Sequence, residues 1–94
     1  MKKEYYMKKI SEVTGEDEKI INSTLKTIYT RIEGMKDVRQ KLEEVGINTD
    51  NKTVDDILQE LELKWKQLDE DTQIKLSRDI AGMFNIARFM LMMK

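Results

Sequence analysis

The chain has 94 residues and a formal net charge of −1, with no cysteine, no histidine and no proline. This rules out disulfides, thiolate nucleophiles, cysteine–histidine zinc sites and imidazole acid–base catalysis. The near-neutral charge supplies no basic field for nucleic acid, and 39% hydrophobic against 37% charged residues suits one small helical domain over residues 1–94.

Met1 to Val13 reads as a first helix, with Tyr6, Ile10 and Val13 on one face. Its lysines have no apolar run behind them, so no secretory signal is expected. Thr14-Gly15 ends it, glycine taking the left-handed position after the last turn. Glu16-Asp17-Glu18 opens a second helix, where the positive end of the helix dipole favours acids. Ile21, Leu25, Ile28 and Ile32 form its buried stripe. Gly34 interrupts weakly, and a third helix runs from about Met35 to Val45 through Val38 and Leu42. Gly46 stops it.

Asn48 to Thr53 is rich in turn formers. Thr53 with Asp56 has the spacing of a capping box. Val54, Ile57, Leu58, Leu61, Trp65 and Leu68 make the most regular stripe in the chain, with Trp65 expected in the core. Asp69 reads as the N-cap of a fifth helix carrying Ile74, Ser77 and Ala81 on one side and Leu76, Ile80 and Phe84 on another. Gly82 either kinks this helix or admits a close backbone contact. From Ile80 to Met93 the only polar side chains are Asn85 and Arg88, so this segment is expected to be buried on most sides. The pattern predicts an all-α fold, a compact bundle of about five short to medium helices.

Few motifs carry chemistry. A calcium loop counted from Asn48 fails at Lys52, Thr53 and Gln59. Adjacent carboxylates such as Glu43-Glu44 and Asp55-Asp56 do not face each other on a helix. Leu76 to Leu91 has the outline of a helix-turn-helix, with Ala81 at the close contact, Asn85 at the left-handed turn position and Leu91 packing the second helix. The would-be recognition helix from Ile86 offers only Arg88 and Lys94 as polar side chains, whereas base reading needs several. No catalytic, cofactor-binding or metal residue emerges, and an enzyme is not expected.

Five pieces stand in order: Leu25-Lys26-Thr27-Ile28-Tyr29-x-Arg31, Leu42-x-x-Val45-Gly46-Ile47, Val54-x-Asp56-Ile57-Leu58 leading to Trp65-x-x-Leu68, Ile80-Ala81-Gly82, and Phe89-x-Leu91-Met92. Together, from about Asn22 to Met93, they resemble the core region of siphophage tail tape measure proteins, in the branch found in phages and prophages of Gram-positive bacteria. That family usually follows Ala-Gly with small and polar residues; Met83, Phe84 and Asn85 stand here instead.

The resemblance implies a structural role in tail length determination and tail assembly, in a fragment of a longer protein or a degenerate prophage remnant. Its partners would be the tail tube and tail assembly chaperone proteins, with no small-molecule substrate. It would occupy the tail lumen of the virion, and the host cytoplasm during assembly. A small helix-turn-helix DNA-binding protein is the alternative function, although nucleic acid is not the expected partner. Self-association through the C-terminal end is also expected. Phe89, Met90 and Met93 are its contact residues, because consecutive apolar side chains point all round a helix.

Overall fold

The computed structural model describes residues 2–94, with side chains from Lys3 onward. The first residue of the expected first helix, Met1, lies outside that range. Among the described residues six α-helices form one all-α globule: α1 (Lys2–Thr14), α2 (Glu18–Gly34), α3 (Lys36–Glu44), α4 (Val54–Lys64), α5 (Glu70–Ala81) and α6 (Ile86–Met93). Single 3-10 turns at Trp65–Gln67 and Met83–Asn85 lead into α5 and α6.

Each boundary has a local cause. Gly15 adopts φ +66 after α1, and the Asp17 side chain accepts from Lys19 N at the start of α2. Met35 is extended (φ −108, ψ 116) and separates α2 from α3. Arg39 steadies that break, its guanidinium donating to the carbonyls of Ile32 and Glu33 at 3.0 and 2.8 Å, two acceptors that a helix end leaves open. Gly46 at φ +88 closes α3. Thr53 and Asp69 cap α4 and α5, accepting from the backbone N–H groups of Asp56 and Thr72. The junction between α4 and α5 is tied by Gln73, whose Nε2 donates to the carbonyls of Trp65 and Leu68.

The stripes meet in one core. Ile21, Leu25, Ile28 and Ile32 of α2, Val38 and Leu42 of α3, Ile57, Leu58 and Leu61 of α4, and Ile80 and Ala81 of α5 are all buried in a single cluster. Helix α6 sits against α1, α4 and α5, and α2 spans α1, α3, α4 and α5. Among the described residues no buried side-chain polar atom lacks a hydrogen-bond partner, and no helix is long and apolar enough to cross a membrane.

Several expectations are corrected. The expected fifth helix is two helices, because Gly82 takes φ +94 and ψ 159, a region that only glycine enters freely. The break resets the helical phase, so Phe84 leaves the stripe of Leu76 and Ile80 and stands 93% exposed, beside Met83 at 69%. The segment after Ile80 is therefore buried only in part. Val13 is also exposed. It lies in the last turn of α1, just before Gly15 swings the chain away. Met35 and Ile74 are exposed as well; Met35 has left the helical phase of α3, in the extended link.

Candidate functional site: the Gly82 turn and its clamps

The turn between α5 and α6 draws together groups from α2 and from the link between α1 and α2. Arg31, near the end of α2, lays its guanidinium beside Gly82, and a Cβ built on that glycine would stand 3.5 Å from one of its terminal nitrogens. The same guanidinium donates to the carbonyl of Asp79 at 3.3 Å. Ordinary contact distance leaves room for a methyl group, so the backbone angle, not crowding, is what demands glycine here.

Asn85 is the hub on the other side of the turn. Its Nδ2 donates to the carbonyl of Ala81 at 2.8 Å, while its Oδ1 accepts from Thr24 Oγ1 and from Arg88, each at 2.9 Å. Asn85 has φ −116 and ψ 11, so it does not hold the left-handed position expected for a helix-turn-helix; the positive φ belongs to Gly82. Arg88 extends the network, its Nε and a terminal nitrogen donating to the two carboxylate oxygens of Glu16, in the link between α1 and α2. The hydrogen bonds from Arg88 hold the Glu16 carboxyl below its ordinary value of 4.5.

A second hub ties α1 to α4 and α6. Glu62 accepts from Tyr5 Oη at 2.9 Å, Tyr6 Oη at 3.3 Å and Lys9 Nζ at 3.1 Å. Lys9 also donates to the carbonyl of Met92 at 2.9 Å, a favourable position for a cation at a helix C-terminus. Burial, then the Glu62 charge, pushes the Tyr6 phenol well above its ordinary 10.0. Burial and the hydrogen bond to Asp55 raise Tyr29 in the same sense.

The residues singled out from the sequence separate by role. Leu25, Ile28, Trp65, Ala81, Phe89 and Met92 are buried in the common core. The Trp65 and Phe89 rings meet edge-on at 5.8 Å between centroids. Arg31 and Gly82 meet at the turn. Gly46 lies apart from it, and its carbonyl accepts from Lys64 Nζ at 2.8 Å. Lys26 is exposed, Thr27 is half-buried, with its hydroxyl donating to the carbonyl of Ser23, and Leu91 is half-buried.

The residues expected to mediate self-association are placed otherwise. Phe89 and Met93 are buried within the monomer and Met90 packs partly against its core. The helices of one chain cover the sides of α6 that the sequence left to a second copy, chiefly through α1, α4 and α5.

Sequence reasoning missed the Glu16–Arg88 fork and the Glu62 hub. Glu16 and Arg88 stand 72 positions apart, and no local pattern marks such a pair. The polar groups of the turn bond one another and hold its backbone in place. Among the described residues no three acidic side chains gather as metal ligands. Compared with known protein families and with solved structures, the chain matches none.

Proposed function

We propose that this chain is a non-enzymatic structural and interaction module of a phage tail tape measure protein, contributing to tail length determination and tail assembly. The observation that carries the reading is the meeting of Arg31 and Gly82. They belong to two separate pieces of the ordered set resembling the tape measure core, and the turn uses both for one purpose. Leu25, Ile28, Trp65, Ala81, Phe89 and Met92, drawn from four pieces of the set, share a single hydrophobic cluster. The pieces thus act as one packing unit, as expected of a module recognised by its shape. In this reading its partners are the tail tube and the tail assembly chaperones, which act in the host cytoplasm during assembly, and the module ends in the tail lumen.

The DNA-binding alternative draws no support from the turn. Phe89, Met92 and Met93 of the would-be recognition helix face the core, and Arg88 is engaged by Glu16. Titrating a labelled DNA duplex with the chain at low salt separates the two readings, because phosphate contacts strengthen steeply as salt falls. The structural module predicts no salt-sensitive binding. Tight binding that weakens with salt overturns it.

A further inference from the structure

Helix α1 enters the core through two side chains, Tyr6 and Ile10, with Met7 packed partly against it. It lies against α2 and α6. Its polar ties reach the far end of the chain: Lys9 Nζ donates to Glu62 and to the Met92 carbonyl, and the Tyr5 and Tyr6 hydroxyls donate to Glu62. Everything that seats α1 therefore lies on the body formed by α2 to α6, and every copy of the chain carries the same seat.

The link from α1 to α2 is residues 15–17. Its bend rests on Gly15 at φ +66, with open space around that glycine, and on the Asp17 cap. The Glu16–Arg88 fork holds the bent link to α6. The chain has no proline, so no residue of the link forbids a helix running straight through it.

The sequence stays in phase across that link. On one continuous helix Tyr6, Ile10, Val13, Asp17, Ile20 and Thr24 share a face, at steps of four, three, four, three and four. Val13 and Ile20 stand on either side of the break, 66% and 47% exposed. A straight α1–α2 rod places them on one stripe, with Asp17 between.

We propose that α1 is an exchangeable arm: the link straightens, and α1 of each of two copies seats against α2 and α6 of the other, with Lys9 of one on Glu62 of the other. The occupant is fixed because the seat already fits α1 in every contact described above. The exchanged dimer is two-fold and closed, and Val13 of each rod meets Ile20 of the other where the rods cross. The bent link and its fork favour the monomer. A helix on a short link meets its own seat at an effective concentration on the order of 1 mM, so exchange needs chain at a similar concentration. It is independent of any role in a tail.

The test refolds the full chain from urea at about 10 µM and about 1 mM, as an equal mixture of ordinary and heavy-isotope-labelled protein. Light scattering after size exclusion separates the 11.2 kDa monomer from dimer. A carbodiimide then joins Lys9 to Glu62, which stand 3.1 Å apart, and mass spectrometry reads the isotopes of the joined peptides. Wild type should be monomeric at the lower concentration and partly dimeric at the higher. In the dimer half of the Lys9–Glu62 crosslinks should join a light to a heavy peptide, while Lys52–Glu60 crosslinks, which lie within one body, stay within one isotope. Gly15→Ala should dimerise about a hundredfold more tightly, because each of two links exchanges a left-handed residue for a helical one at about tenfold. Wild type that stays wholly monomeric at about 1 mM overturns the proposal. So does a dimer whose Lys9–Glu62 crosslinks all stay within one isotope, or a Gly15→Ala chain, helical by circular dichroism, that dimerises no more than wild type. If Gly15→Ala does not fold, the wild-type mass and crosslinks decide alone.

Discussion

The Arg88 guanidinium grips both carboxylate oxygens of Glu16, joining α6 to the link between α1 and α2. The Glu16 carboxyl titrates below its ordinary 4.5 because Arg88 hydrogen-bonds its charged form. Its contribution is therefore complete above about pH 4.5 and is lost as pH falls through the lower, folded value. Hydrogen bonds from Thr72 lower Asp69 below 3.8 in the same sense. Urea midpoints measured from pH 7 down to pH 2 should drop on the acid side. Arg88→Leu should lower the neutral midpoint and flatten that acid branch; an unchanged branch would remove the ion pair from the account.

The alkaline side has a separate cause. Tyr6 and Tyr29 are held protonated in the fold, first by burial and then by the acids beside them. Groups raised in the folded state stabilise fully below the unfolded value of 10.0 and lose that effect as pH rises toward the folded one. Unfolding should begin above about pH 10, with tyrosinate absorbance appearing together with the loss of helicity. Tyrosinate from all three tyrosines while the helices stay intact would contradict this.

Gly82 and Gly34 make a matched pair for backbone effects. Gly82 has φ +94, so Gly82→Ala should destabilise by about 1–3 kcal/mol through strain alone. Gly34 closes α2 without positive φ and has open space around it, so Gly34→Ala should stabilise by about 0.4–1 kcal/mol. Denaturant midpoints check both. Equal effects in the two variants would mean that the Gly82 turn is not held as described.

Trp65 reports on α6 directly, since its ring packs on the edge of Phe89 and is 4% exposed. Its fluorescence should be blue-shifted. Phe89→Ala should cost about 3–5 kcal/mol, a large part of what a domain this size has, and should red-shift whatever folded protein remains. Phe89→Leu should keep the fold with a smaller cost.

Much of this fold was legible in the chain. The stripes of α2 and α4 and the caps at Thr53 and Asp69 follow from period and local chemistry, and local chemistry is what sequence spells out. The turn at Gly82 was legible only as a choice between a kink and a close contact. Its positive φ, and with it the exposure of Phe84, depends on how α6 is held against α1, α4 and α5. The Glu62 and Asn85 hubs were hidden for a related reason: their partners lie on helices far apart in sequence. The burial of Phe89 and Met93 was misjudged because α1, outside the resembling segment, supplies Tyr6 and Ile10 to the same core.

The proposal of a tail module meets its most direct test in tail length. Residues 22–93 can be duplicated in frame, or deleted, in the gene that encodes them, and the tails of the resulting particles measured by negative-stain electron microscopy. The account predicts longer tails from the duplication and shorter tails from the deletion. Tails of unchanged length in both strains would contradict it.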